Sequence, residues 1–107
     1  MKVVAYVPDL MDRSRISAAT GEAVEFVATP EVLRELGALA DLVIVDLGRP
    51  GVLEVLPHVT APTVGFGSHV DRDLLAAARA AGCERVLARS AFFGALSSLL
   101  GGQGGSR

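Results

Sequence analysis

The residues with chemistry to offer in this chain follow its apolar runs. Asp46 closes the run Leu42 to Asp46 (LVIVD), with Arg49 and Pro50 just beyond it; Asp9 follows the first run, Ser68 and His69 the fourth, and Arg89 the fifth. An apolar, β-branched run too short for a helix reads as a strand buried on both faces, at the centre of a parallel sheet. Asp46 then sits at the carboxyl end of that strand, the edge where open α/β sheets build their sites. A carboxylate there can serve a site, or simply cap the turn that follows. Asp9 has the same two readings, and aspartate is a favoured helix cap. Arg49 and Arg89 flank the same edge and can pair with these acids, an exposed pair contributing about 0–1 kcal/mol. Together with Ser68 and Asp46 they also offer a place for an anionic small molecule.

Other chemistries lack their parts. His69 has no matched base or nucleophile near it in sequence, and Ser68 and Ser90 have no histidine partner, so no catalytic triad is supported. Gly48, Gly51, Gly65 and Gly67 form neither GxGxxG nor GxxxxGK[ST]. Cys83, just before the fifth run, reads as a small buried hydrophobe.

The elements that must hold these residues recur about every 20 positions, a strand followed each time by a helical segment. Val3 to Val7 is the first strand. Asp9 caps a helix on which Leu10, Met11 and Ile16 form an apolar face, closed by Thr20 and Gly21. Ala23 to Ala28 is a second strand, and Glu25 puts it near the sheet edge. Thr29, Pro30 and Glu31 open a second helix, with Val32, Leu33, Leu36 and Leu39 as its buried stripe. After the central strand, Val52, Leu53, Val55 and Leu56 suit about two helical turns, which Pro57 makes short or irregular.

Ala61 to Phe66 is the fourth strand, and Asp71 caps a helix with Leu74, Leu75 and Ala78 inward and Gly82 as its stop. Arg85 to Ala88 is the fifth strand. Ser90 caps a last helix carrying Phe92, Phe93, Leu96, Leu99 and Leu100. The tail, 101–107, has nothing to bury and is expected to be disordered. The whole is an α/β, three-layer sandwich: a five-stranded parallel sheet with helices on both faces. No repeating consensus supports a leucine-rich solenoid. Right-handed crossovers favour the strand order 2-1-3-4-5, which brings Asp9 beside Asp46.

Composition narrows the function classes. At 107 residues the chain makes one domain, and no stretch approaches the roughly 20 apolar residues of a membrane helix. Pro8 and Asp9 interrupt the only candidate for a leader sequence. One cysteine cannot form an internal disulfide or a multi-thiolate zinc site, as suits a cytoplasmic protein. A net charge of −2 with interspersed signs offers nucleic acid or anionic lipid no basic field.

With these residues placed, the chain resembles a response-regulator receiver domain (CheY-like, flavodoxin-like fold) over Lys2 to Leu100. The resemblance implies an acidic pair after the first strand, where Asp9 matches the second acid and Pro8 stands in for the first. Asp46 matches the phosphoacceptor and Pro50 the proline four residues on. The hydroxyl position falls on Gly67, with Ser68 next to it, and the lysine position on Arg89. The family's chemistry uses Mg2+, for which Asp9 and Asp46 are the implied ligands and Asp12 a neighbour one helical turn away. The three departures imply a degenerate site, a pseudo-receiver, in which Asp46 pairs with Arg89. The expected role is a stand-alone signalling domain acting through protein contacts, not an enzyme, with no required cofactor. Of Phe92 and Phe93 one must point off the helix's core face: Phe93 either packs onto the core or, with Arg79 beside it on the alanine-rich fourth helix, forms a docking face, and a homodimer is one form such contacts take. The alternatives are a small flavodoxin-like protein binding an anionic ligand at the sheet edge, and a single-domain phosphorelay element still phosphorylated at Asp46.

Overall fold

The computed structural model describes residues 1–21 and 23–100; the tail expected to be disordered lies outside them. Five strands, β1 (Val3–Tyr6), β2 (Val24–Phe26), β3 (Leu42–Asp46), β4 (Thr63–Gly67) and β5 (Arg85–Ala88), form one sheet. All neighbours run parallel, in the order β2-β1-β3-β4-β5. The expected architecture and order are thus the observed ones. Because β1, β3 and β4 are covered on both faces, their sequences are apolar nearly throughout and their residues are buried. β2 is the edge strand that Glu25 announced, three residues long with Glu25 exposed.

Strand alternation divides the interior into two cores. Val4, Tyr6, Val43, Val45 and Leu47 face one layer, packed against Leu33, Val52, Val55, Leu75 and Ala78. That layer holds α2 (Leu33–Leu36), α3 (Val52–Val55) and α4 (Arg72–Ala80). Val3, Ala5, Val7, Ile44, Val64 and Phe66 face the other, against Ile16, Phe92, Leu96 and Leu100. There lie α1 (Leu10–Ala19), α5 (Arg89–Gly94) and α6 (Leu96–Leu100). Phe66 and Phe92 stack at 4.6 Å between centroids, and Phe93 meets both edge-on, geometries that add stabilisation beyond the buried area.

Several local expectations are corrected. On α1, Ile16 is buried, but Leu10 and Met11 are 73% and 78% exposed, because the buried stripe runs through Asp12 and Ile16, four residues apart. The second helical segment is one α-turn between 3₁₀ turns, Pro30–Val32 and Gly37–Leu39, and this tightening rotates Leu39 out to solvent. Thr29 precedes it without a side-chain cap bond. The last helix begins at Arg89, so Ala88 and not Ser90 occupies the cap position. It also breaks at Ala95, after Gly94, before resuming as α6. α3 is as short as Pro57 implied, passing into a 3₁₀ turn at Leu56–His58.

Both ends of the fourth helix behave as the sequence suggested. Asp71 accepts a hydrogen bond from the Leu74 amide at the start of α4, and Gly82 ends that helix at φ 101°, a left-handed conformation that costs glycine little. No helix among the described residues is long and apolar enough to cross a membrane.

Candidate functional site

The site forms at the carboxyl edge of the sheet, where the chain leaves β1, β3, β4 and β5. After β3, Leu47 adds one more ladder bond to the Phe66 carbonyl, and its side chain turns inward against Gly65. Asp46 thereby stands at the rim on the opposite face from Leu47, with Phe66 as its partner on β4. Its Oδ1 accepts the Gly48 amide at 3.1 Å, and its Oδ2 accepts Arg49 Nε at 3.2 Å. The first bond is an Asx-type turn that holds the loop leaving the strand. The second is an ion pair made within that loop, with the Asp46 side chain 14% exposed.

After β1, Asp9 caps α1 by accepting the Asp12 amide at 2.9 Å. That bond fixes the first helical turn. It directs Asp12 inward, where the residue is 3% exposed. Arg13 donates from Nε to the Val7 carbonyl at 2.6 Å, tying the same turn to the end of β1.

Arg89, at the junction of β5 and α5, crosses the edge and donates from its guanidinium to Asp12 Oδ1. The expected pair of Asp46 with Arg89 is therefore replaced by two others, Asp12 with Arg89 and Asp46 with Arg49. The reason is geometric: Arg49 is three residues from Asp46 in the same loop, whereas Asp12 presents a buried carboxylate to the strand end from which Arg89 departs. The Arg89 pKa is raised above the ordinary guanidinium value, first by the Asp12 hydrogen bond. Burial opposes this, and the charges of Asp12, Asp46 and Asp9 reinforce it. All three carboxylates thus act on one cation.

The same carboxylates form a poor nest for a divalent ion. Asp9 Oδ1 is committed to an amide, Asp12 Oδ1 to Arg89, and both Asp46 oxygens to Gly48 and Arg49. Among the described residues no group of three or more histidine, cysteine or acidic side chains converges as a metal site. Magnesium held by Asp9 and Asp46 would therefore compete with these hydrogen bonds for the carboxylate oxygens of its near-octahedral shell.

Gly67 and Ser68 diverge at the end of β4. A Cβ at Gly67 would meet Leu75, Leu74 and Leu47, in the layer of α4. Ser68 instead lines an open cleft in the layer of α1 and α5, with Arg15, His69, Arg89, Ser90 and Phe93. Arg15 lies 4.0 Å above the Phe93 ring centroid, and Arg89 lies 5.1 Å from Phe93 and 5.6 Å from Phe66. Arg79 stands exposed on α4 in the other layer, so it is not the neighbour of Phe93 that the sequence suggested. Arg15 was the residue hardest to find from sequence, since an exposed helical arginine carries no mark. Asp12 had one: it sits a helical turn before Ile16 and so shares its inward face.

Cys83 is buried behind β5, away from the edge. Burial pushes its thiol from 9.0 up to about 11, against hydrogen bonds from the backbone near Gly65 and Arg85.

No protein-family model and no curated protein matches the sequence. Solved structures do. A response regulator from Hahella chejuensis superimposes with a TM-score of 0.77 at 23% identity, over 92% of this chain and 90% of that one. The phosphorylated cyanobacterial phytochrome response regulator RcpA gives 0.69 at 16% identity, over 92% and 89%. A response regulator in its Mn(2+)-bound form gives 0.65 at 16% identity, over 92% and 91%.

Proposed function

Since the fold is that of response-regulator receiver domains, we propose that this chain is a receiver-like signalling domain whose phosphoacceptor position has been retired and which works through protein contacts. The observation that carries the reading is the engagement of every edge carboxylate: Arg89 holds Asp12, and Arg49 with the Gly48 amide holds Asp46. Phosphoryl transfer to an aspartate needs a free carboxylate nucleophile and a cation to neutralise the developing phosphoryl charge. Here Asp46 accepts a hydrogen bond on each oxygen, and the cations nearest the edge acids, Arg49 and Arg89, are guanidiniums paired with them.

Three sequence departures support the same reading. Pro8 supplies no acid, Gly67 supplies no hydroxyl in a direction that faces Leu74 and Leu75, and Arg89 offers a planar fork turned toward Asp12. A receiver whose arginines stand permanently where phosphate and metal act transiently has one conformational state to present. Its partner is then a protein that reads that state, through α4, β5 and α5, in the cytoplasm. The domain is not itself an enzyme.

The test is intact-protein mass spectrometry after incubation with acetyl phosphate, with and without magnesium, on the wild type and Asp46→Asn. The expected result is no adduct in any arm. A magnesium-dependent phosphate adduct present in the wild type and lost in Asp46→Asn overturns the proposal and makes the chain a working phosphoacceptor.

A further inference from the structure

The cleft beside Phe93 has a chemistry that the pseudo-receiver reading does not use. Its volume is about 570 Å³, within the range of small-molecule sites. Its cations are Arg15 from α1 and Arg89 from the β5–α5 junction, with His69 from the loop after β4 beside them. Arg89 is balanced by Asp12. Arg15 has no carboxylate partner among the described residues and lies over the Phe93 ring. Arg15 thus brings to the cleft a guanidinium with no ion pair among the described residues, beside an Arg89 on which Asp12, Asp46 and Asp9 already act.

The donors around that charge are free. Arg89 gives one nitrogen to Asp12 and has no other acceptor among the described residues. The Ser68 Oγ accepts the Val70 amide at 3.4 Å, which leaves its own proton to donate. Ser90 caps nothing, because Ala88 holds the cap position. Two guanidiniums and two hydroxyls around one space suit the several oxygens of a phosphoryl group, which takes forked, charge-assisted hydrogen bonds. The wall between the guanidiniums is the Phe93 ring, itself held edge-on by Phe66 and Phe92. A planar or apolar body attached to the phosphoryl group would lie against that wall and against the flat faces of the arginines.

We propose that this cleft is a reversible, metal-free binding site for a small organic phosphate, a phosphate monoester with a planar or apolar body, held between Arg15 and Arg89 against Phe93. Asp46, at the end of β3, shares this face of the sheet but is paired with Arg49 and does not line the cleft, so occupancy requires no covalent chemistry at Asp46. A ligand here would touch Arg89 and thus the ion-pair partner of the buried Asp12 carboxylate, which gives a small molecule a handle on the edge of the sheet.

The test is calorimetric titration of the full chain, in its Asp46→Asn form, with phenyl phosphate at low salt. Using Asp46→Asn separates this site from any phosphoacceptor activity, so either proposal can fail alone. Saturable binding at one site is expected. Arg15→Gln weakens it about ten-fold or more, as loss of a charge-assisted contact does. Arg15→Lys, which keeps the charge without the fork, recovers part of the loss, and Phe93→Leu weakens binding while leaving the Asp12–Arg89 pair in place. Arg49→Gln, on the other rim, changes affinity by less than about two-fold. Absence of saturable binding up to about 10 mM overturns the proposal. So does binding indifferent to Arg15→Gln, or inorganic phosphate binding as tightly as phenyl phosphate. Thermal unfolding of each variant checks that any loss is not loss of fold.

Discussion

Arg89 and Asp12 are 77 positions apart in sequence and form one ion pair, with the carboxylate side chain 4% exposed and the guanidinium 47% exposed. The two ends of that bond answer to different solvents. The arginine can exchange its partner for water, while the aspartate has no such choice.

Removing the arginine alone is therefore the costly change. Arg89→Met leaves a buried acceptor without its donor and is expected to destabilise the fold by about 1–3 kcal/mol, reduced toward the lower end by the exposure of the guanidinium. Asp12→Leu combined with Arg89→Met recovers most of that loss, since apolar replacements of a buried pair are often neutral. Urea unfolding of the two variants and the wild type gives the comparison. A double variant no more stable than Arg89→Met would mean that the pair has another role.

Gly65 carries the steric prediction. A Cβ at that position would lie 2.6 Å from Leu47 Cδ2 and 2.8 Å from its Cγ, and the second of these is not the free end of the side chain. Gly65→Ala is expected to cost about 1–3 kcal/mol through overpacking. Because the clash and the side chain are one contact, Gly65→Ala in a Leu47→Ala background costs less than in the wild type. Equal costs in the two backgrounds, measured by thermal unfolding, would refute the account.

The buried thiol gives a pH dependence with a definite sign. Cys83 titrates near 9.0 when unfolded and at about 11 when folded, so between those values the folded chain binds the extra proton. Its contribution is complete below pH 9 and is lost as the pH rises toward 11, by about 2–3 kcal/mol. The stability of Cys83→Ala is expected to fall less steeply than that of the wild type over that window, measured by chemical denaturation at several pH values. Parallel curves would show that burial does not hold the thiol protonated.

Magnesium offers a check on the edge carboxylates. At millimolar concentrations it is expected to leave the melting temperature of the wild type unchanged, because nothing that binds the folded state weakly at such levels stabilises it appreciably. Pro8→Glu with Arg89→Lys adds an acid and replaces the planar fork that holds Asp12 with a compact ammonium, and the melting temperature of that variant is expected to rise with magnesium. A magnesium-dependent rise in the wild type would show that Asp9, Asp12 and Asp46 release their present partners readily.

The backbone plan was legible because it depends on local and additive signals. The run LVIVD is buried on both faces wherever it sits in a parallel sheet, Asp9 and Asp71 cap the helices that follow them, and Gly82 turns the chain where only glycine turns it cheaply. The pairing at the edge was not legible. Choosing Asp12 over Asp46 as the partner of Arg89 depends on reach and burial across the sheet, and neither leaves a periodic trace in sequence. Leu39 was misplaced for a related reason: the pattern of Val32, Leu33, Leu36 and Leu39 assumes 3.6 residues per turn, and a 3₁₀ turn breaks the count. Phe93 resisted because its environment is built by Arg15 from another helix.

The brevity of β2 has its own consequence. An open sheet ends in unsatisfied peptide groups, and such an end is a template on which foreign strands can be laid down. Here that template is three residues long and carries the exposed carboxylate of Glu25. A stray extended segment arriving at that end gains too few bonds to stay and meets a charge it cannot bury. Polymer growth through this side of the protein is opposed by the shortness of the strand and by its charge.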